Sequence, residues 1–305
     1  QEVLNMRKFL AITAVVGALH AEAPITGDVS RTRSPIPQTK GDWVIYCFKM
    51  NIMTGRLYDN SMVAMDMLTG TEYYFQDWLS LYGSVPIYFD KGENATLASG
   101  DILLGLHWTT EWKFASYVGA FPFITIPTGI GTYTADTVRA YSTRGLDYGL
   151  LLTWAYWDTW GKLIANLGLY DPQQGFIFTG EYGAHTNQVL FRFYADKPMS
   201  KNIRLGTELS VDWFYIASTM NEVAHYSGGT PIRMNILSLF SPTDNDNLQI
   251  GLSFGGYLTR RSIERDGEKV YAKVPFTTPR GDIFVETGLS FTYNLGQKEL
   301  EPFAK

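Results

Sequence analysis

The stretch that decides the fold is ETGLSFTYNL, residues 286–295, near the end of a chain of 305 residues. Its side chains alternate strictly, with apolar or aromatic residues on one face and small or polar residues on the other. A strand with an apolar outer face and a polar inner face is typical of a membrane barrel, which has lipid outside and water or polar side chains inside. A soluble sandwich with one packed face produces the same alternation, so this segment alone leaves that alternative open.

The same stretch also carries a pattern of polar residue, glycine and two spaced aromatics, at Thr287, Gly288, Phe291 and Tyr293. This pattern resembles the C-terminal signal by which bacterial outer-membrane barrels are recognised for insertion. The resemblance implies the bacterial outer membrane as the location. It also implies two partners, the lipid bilayer and the barrel-insertion machinery.

The N-terminal region resembles a secretory signal peptide. A basic start at Met6-Arg7-Lys8 precedes an apolar run over 9–19, which is too short to span a bilayer as a helix. Small residues follow, and cleavage after Ala21 and after Ala23 both stay open, because the second would leave Pro24 at the mature end. We expect four parts: upstream residues and signal over 1–23, a polar segment over 24–40, a barrel over 41–296 and a tail over 297–305.

The composition excludes several classes of protein. Hydrophobic residues make up 45% of the chain and aromatic residues 15%, with a net charge of -5. After the signal, no stretch is long and apolar enough for a membrane helix, whereas alternating strands average to nearly neutral hydropathy. The charge provides no basic patch for nucleic acid, so no nucleic-acid partner is predicted. The single cysteine, Cys47, has no partner for an intrachain disulfide.

About twelve alternating segments follow one another, joined by connections that are alternately short and long. We therefore predict an all-β protein, a single closed antiparallel transmembrane β-barrel with short periplasmic turns and long extracellular loops. The first strand is expected over 43–50, with loops over 54–60 and 91–100. The residues expected to face outward are Leu205, Leu209, Val211, Ile250, Leu252 and Phe291.

Six tryptophans give an independent indication. They lie at or next to the short turns, and they are Trp78, Trp108, Trp112, Trp154, Trp157 and Trp160. Amphipathic rings concentrate at the headgroup level of a membrane barrel, whereas in a soluble sandwich tryptophan belongs in the core. The clustering favours the membrane barrel, and we predict that these six rings lie at the membrane interface.

Several short phrases also resemble one known family. They are GDWVIY at 41–46, GRLYD at 55–59, SVPIYF at 84–89, SGDILLGL at 99–106 and ITIPTG at 124–129. They are similar to an outer-membrane family associated with the meta-pathway of phenol degradation. The resemblance implies a barrel that passes hydrophobic or aromatic compounds, and it brings no catalytic motif.

The residues themselves provide little for chemistry. His185 lies in GAHTNQ, with Asn187 where an outer-membrane phospholipase would need its serine, and His107 has Trp108 beside it. No cluster has metal-ligand spacing, and the acidic turn at Asp244 and Asp246 is expected to stay solvated rather than bind calcium. We therefore predict no enzyme activity, no cofactor and no metal site.

Five charged residues are the predicted lining of the pore. They are Arg192, Arg204, Glu208, Asp212 and Glu286. Buried charges must be paired or hydrated, so two interpretations stay open: ion pairs that brace the wall, and groups that contact a passing solute. A barrel of about eight strands is filled by side chains and one of about sixteen holds an open channel. With twelve, both a narrow pore and a plug formed by residues 25–40 remain possible interpretations.

Two functions fit this sequence. The first is an outer-membrane channel or transporter for small organic molecules, hydrophobic or aromatic ones among them. The second is a non-transport barrel, either a lipid-modifying enzyme or a structural or adhesion protein that displays its long loops.

Overall fold

The computed structural model describes twelve stretches of the chain: 33–57, 60–91, 95–113, 116–129, 146–171, 184–219, 226–227, 232–242, 248–257, 263–265, 268–270 and 282–295. Within them the regular structure consists entirely of β-strands. These residues include no helix of the length and hydrophobicity that a membrane span requires.

The described residues form sixteen strands. They are β1 (Trp43–Leu57), β2 (Asn60–Gln76), β3 (Leu79–Lys91), β4 (Ala95–Ser99), β5 (Ile102–Glu111), β6 (Ser116–Ile126), β7 (Asp147–Asp158), β8 (Gly161–Asp171), β9 (Ala184–Ser200), β10 (Ile203–Thr219), β11 (Tyr226–Ser227), β12 (Ile232–Phe240), β13 (Leu248–Tyr257), β14 (Ile263–Arg265), β15 (Glu268–Val270) and β16 (Asp282–Asn294).

The large sheet closes on itself. Its order is β2-β1-β16-β13-β12-β10-β9-β8-β7-β6-β5-β3-β4, and β2 also pairs with β3. Strands β4 and β5 pair with successive parts of β3 and so act as one broken strand. The result is a closed antiparallel barrel of twelve strands, which confirms the predicted fold class.

The two ends of the barrel differ in their connections. At one end, the short-turn rim, two-residue turns at 77–78, 159–160 and 201–202 join neighbouring strands. The first and last barrel strands also meet there, where the Leu295 amide donates to the Trp43 carbonyl at 2.9 Å. Most of the longer connections lie at the other end. The assignment of the short-turn rim to the periplasm stays a prediction.

Two of the predicted loops are wrong. Strands β1 and β2 continue to Leu57 and Asn60, which pair with each other, and β4 lies inside the loop expected over 91–100. Polar and glycine residues in these stretches had indicated loops. Their backbone groups nevertheless find partners in neighbouring strands, and this pairing does not depend on the side chain.

The side chains alternate in the predicted sense. In β5, Leu103 and His107 are buried, whereas Leu106 is 48% and Trp108 44% exposed. In β13, Leu252 is 56% and Phe254 60% exposed, whereas Ser253 is 7% exposed. The outer surface is therefore apolar, and the inside holds the polar and small side chains.

Strand β1 contains a β-bulge that changes which residues point inward. Its pairing with β2 and β16 shifts between Tyr46 and Lys49, next to Cys47. Before the bulge Val44 and Tyr46 are buried, and after it Asn51 and Met53 are buried. The extra residue reverses the parity, because side chains alternate with a period of two.

The apolar outer surface leads to a first prediction. Leu152 lies in the middle of β7, opposite Leu167 of β8, and both are about half exposed, at 50% and 52%. If lipid covers this surface, Leu152→Arg lowers the free energy of unfolding by about 2–4 kcal/mol, because an arginine near the bilayer midplane loses its hydration. Urea unfolding in lipid vesicles measures this loss.

The matched control is Thr159→Arg, in an exposed turn at the short-turn rim, where the expected cost is about 0–1 kcal/mol. Equal losses for the two variants would contradict a lipid-covered outer face.

Candidate functional site

The inside of the barrel is lined on one side by a row of aromatic rings in mutual contact. We call it the aromatic row, and its members are Tyr46, Tyr82, Phe121, Phe123 and Tyr170. Successive ring centroids are 5.7, 5.8, 5.8 and 6.0 Å apart, and all five side chains are buried. Such spacings are those of attractive ring pairs. The row crosses the inner wall from β1 through β3 and β6 to β8.

Glycines on adjacent strands make room for these rings. A Cβ atom on Gly105 would overlap the ring of Phe121, and one on Gly149 would overlap the ring of Phe123. The two phenylalanine rings therefore lie over bare backbone of β5 and β7. Without these glycines, the rings would have to move toward the axis of the barrel.

The chain that precedes β1 runs inside the barrel. The Arg33 amide donates to Asn166 Oδ1 at 2.6 Å, and Asn166 Nδ2 donates to the Arg33 carbonyl at 2.8 Å. At the short-turn rim, the Lys40 amide donates to Asp77 Oδ1 at 2.6 Å. We call residues 33–42 the lumen segment. Its presence inside the barrel agrees with the plug alternative, and residues 25–32 lie outside the described residues.

The lumen segment also packs against the wall through apolar contacts. Ile36 lies in a buried cluster with Tyr117, Ala155 and Ile164. Gly41 then turns the chain into β1 with a φ of +89°, a conformation that favours glycine. The segment is thus held at its inner end, along its length and at the rim.

An ion pair joins the lumen segment to the opposite wall. Arg33 Nη2 donates to Glu72 Oε1 of β2, and both side chains are at most 2% exposed. Glu72 also accepts from Tyr46 Oη at 2.8 Å and from Ser80 Oγ. The guanidinium carbon lies 4.1 Å from the ring centroid of Phe121, a cation–π distance. Since β2 and β8 are five strands apart in the closed ring of twelve, Arg33 links two well-separated strands of the wall across the interior.

His107 belongs to the same cluster but is not placed for nucleophilic catalysis. Its Nδ1 lies 3.5 Å from Glu72 Oε1. The sequence showed no serine near it, yet the fold brings Ser80 opposite it. The Ser80 hydroxyl donates to Glu72 and not to the imidazole, so the histidine is not placed to take the serine proton as the base of a catalytic triad does.

Two of the predicted lumen charges meet on the other side of the barrel. Arg233 Nη2 lies 4.0 Å from Glu208 Oε2, and Arg233 Nη1 lies 3.5 Å from Glu286 Oε2. All three side chains are at most 3% exposed. Arg192 is also buried, on β9, where it faces Ser210 of β10. These residues form a polar wall opposite the aromatic row.

The other two predicted lumen charges lie elsewhere. Arg204 is 26% exposed and pairs with Asp196 near the short-turn rim, so it is separate from Glu208. Asp212 is in β10, but its side chain lies outside the described residues. The same holds for the side chain of His185 and for Asp244 and Asp246.

The sequence analysis missed the two residues that organise the interior, Arg33 and Arg233. A signal for Arg233 existed, because Arg233 and Asn235 alternate with Met234 and Ile236 in β12. Arg33 had no such signal, because it lies in an irregular segment.

Acidic groups outnumber basic groups inside the barrel. Among the described residues, nine Asp and Glu side chains are buried against three arginines. The acids are Asp42, Asp66, Glu72, Asp90, Asp101, Asp147, Asp196, Glu208 and Glu286, and the arginines are Arg33, Arg192 and Arg233. Within the described part of the chain, no group of three or more His, Cys, Asp or Glu residues is arranged to hold a metal ion. Among the described residues, buried acids therefore outnumber buried arginines, and ionised acids favour cations.

Five of the six predicted interface tryptophans lie on the outside, near the short-turn rim. They are between 37% and 62% exposed: Trp78, Trp108, Trp112, Trp154 and Trp160. Trp157 instead packs against the buried cluster around Ile36 and Ala155, with Lys162 Nζ 5.4 Å from its ring centroid, so its prediction as an interface residue is wrong. Contact of the other five rings with lipid headgroups stays a prediction.

No protein-family model and no curated protein sequence matches this chain. Solved structures do. One is the COG4313 outer membrane channel from Pseudomonas putida F1, with a TM-score of 0.57 and 13% identity over 85% of this chain and 96% of that one. Another is the beta domain of the Bordetella autotransporter BrkA, with a TM-score of 0.38 and 8% identity over 84% of this chain and 99% of that one. The first likeness shows a shared fold, the outer-membrane type of β-barrel.

The glycines that make room for the aromatic rings lead to a second prediction. Gly149→Ala places a methyl group against the Phe123 ring, and we expect a loss of about 1–3 kcal/mol in the free energy of unfolding from overpacking. Adding Phe123→Leu removes the overlap and restores part of the loss. Urea unfolding of the single and double variants measures both effects.

Gly83→Ala is the matched control, because its new Cβ would meet only the flexible end of Leu104 at 3.3 Å and a more distant carbonyl. If Gly83→Ala lowers the free energy of unfolding as much as Gly149→Ala does, the Phe123 ring does not lie over Gly149.

Proposed function

We propose that this protein is an outer-membrane channel for small organic molecules, aromatic ones included, and that the lumen segment controls passage. The observation that carries the proposal is the aromatic row inside a closed barrel, with the lumen segment held beside it. The fold shared with an outer membrane channel supports both the location and the transport role.

The aromatic row is suited to passage of an aromatic solute. Its ring centroids follow one another at 5.7 to 6.0 Å in tilted, edge-to-face and stacked pairs, so an aromatic molecule finds a further ring contact at each successive position. Passage requires binding that is favourable enough for entry and weak or repeated enough for exit. A row of equivalent contacts meets this requirement better than one deep site.

The lumen segment must move for a solute to pass, because it bridges the space between Glu72 and Asn166. Its contacts include an ion pair, hydrogen bonds and an apolar cluster, and among the described residues only its last two, Gly41 and Asp42, bond to the backbone of a strand, at Tyr74 of β2. Such a segment separates from the wall more easily than any strand of the barrel does.

One observation favours a second candidate, a barrel that displays its loops. Strands β11, β14 and β15 form a separate three-stranded sheet from the connections beyond β10 and β13. A folded structure on the long connections suits an adhesion or recognition role. That candidate requires no conductance.

Planar-bilayer recording gives the third prediction and separates the two candidates. We expect discrete openings from the wild type, and a larger open fraction from Arg33→Ala/Asn166→Ala, because this change removes the ion pair and the side-chain hydrogen bonds that hold Arg33. Arg204→Ala, which breaks an ion pair near the rim, is the control and should leave the open fraction unchanged. Silence from all the variants would favour the display barrel.

Ion selectivity gives the fourth prediction. Because buried acids outnumber buried arginines among the described residues, reversal potentials under a salt gradient should indicate a preference for cations. Glu208→Gln and Glu286→Gln should lower this preference, and Arg233→Gln should raise it. If these residues only brace the wall, the three variants change thermal stability and leave the reversal potential at the wild-type value.

A further inference from the structure

The surroundings of Arg33 form a site of their own on the barrel wall. We call this site the cage, and it consists of Tyr46, Glu72, Ser80, Tyr82 and Phe121. These residues come from β1, β2, β3 and β6. Arg33 comes from the lumen segment, so the wall provides a complete set of partners for a group that is not part of it.

The geometry of the cage suits a flat, delocalised cation. The guanidinium carbon of Arg33 lies 4.1 Å from the ring centroid of Phe121 and 4.8 Å from that of Tyr82. Both values are inside the range of about 6 Å for cation–π attraction. Glu72 contributes the carboxylate that pairs with the cation. Aromatic faces beside a carboxylate are the surroundings that guanidinium and amidinium groups prefer.

The charge of the cage also favours a cation. Without a cation, Glu72 would remain buried, and its remaining partners among the described residues would be the neutral donors Tyr46 and Ser80 and the imidazole of His107. A buried carboxylate that loses its cation is strongly destabilised.

The cage is also prepared for a ligand before one arrives. The hydroxyl groups of Tyr46 and Ser80 hold the Glu72 carboxylate independently of Arg33, and Phe121 is seated over Gly105. A site whose groups are already oriented loses less freedom on binding.

We propose that the cage is a binding site for small organic cations of the amidinium and guanidinium class that carry an aromatic ring, and that Arg33 occupies it in this structure. The inference rests on the proposed channel function, because it names the class of solute that competes with Arg33. The positive group takes the place of the guanidinium, and the ring lies along the aromatic row toward Phe123.

The test is calorimetric titration of the purified full-length protein in detergent with benzamidinium chloride. Arg33→Ala should bind benzamidinium about tenfold more tightly than benzyl alcohol, a neutral molecule with the same ring, and about tenfold more tightly than the wild type binds benzamidinium. In Arg33→Ala/Glu72→Gln the preference for benzamidinium over benzyl alcohol should disappear. Equal binding of the two probes by Arg33→Ala, binding of neither, or a preference that survives the loss of Glu72 overturns the proposal.

If Arg33→Ala folds too poorly for titration, a refolding assay tests the same proposal. Benzamidinium should then restore the yield of heat-modifiable folded protein, and benzyl alcohol at the same concentration should not. Equal rescue by both, or rescue by neither, overturns the proposal. Bilayer recording tests the channel function separately. Benzamidinium binding without bilayer openings supports the cage and contradicts transport. Openings without a preference for benzamidinium support transport and contradict the cage.

Discussion

Closure of the sheet through the β1–β16 ladder is the constraint on which the rest of this structure depends. A sheet in hydrocarbon cannot leave an edge unpaired, because no water is present to satisfy its backbone groups. Once β1 and β16 pair, every strand of the barrel has neighbours on both sides, and the two faces of the sheet become an outside and an inside. The period of two then determines the surroundings of each side chain. The bulge beside Cys47 is where the chain changes parity while the ladder is kept.

Enclosure explains why the interior is divided into two unlike walls. Aromatic rings that lie over glycines fill one side, and ion pairs around Arg233 occupy the other. Buried charges require partners. Among the described residues of the barrel wall, the one basic group beside Glu72 is the imidazole of His107. The cation that pairs with Glu72 is Arg33, which belongs to the lumen segment. The position of that segment and the charge of the wall are therefore coupled.

The sequence predicted the barrel well, because alternation in segments such as β5, β7 and β10 is a local property of consecutive residues. It failed at the ends of strands, as at Leu57 and in β4, where pairing with a neighbour decides the structure and side-chain type does not. For the site, sequence periodicity indicated Glu208 and Glu286 as inward-facing, and both are buried.

The pairing partners were beyond a sequence argument. Arg233 joins Glu208 and Glu286 across the strands between β10 and β16, and Arg33 meets Glu72 at a separation of 39 residues only because an irregular segment enters the lumen. Both arrangements follow from the closed shape, which no local pattern encodes.

The most direct test of the account is to fix the lumen segment to the wall and to release it again. Ile36 and Ala155 pack in one buried cluster, so Ile36→Cys/Ala155→Cys in a Cys47→Ser background places two thiols together in an otherwise cysteine-free chain. Single-channel recording would compare the oxidised protein with the same protein after reduction. The account predicts few openings while the disulfide is intact and a marked increase after reduction, and equal conductance in the two states would contradict it.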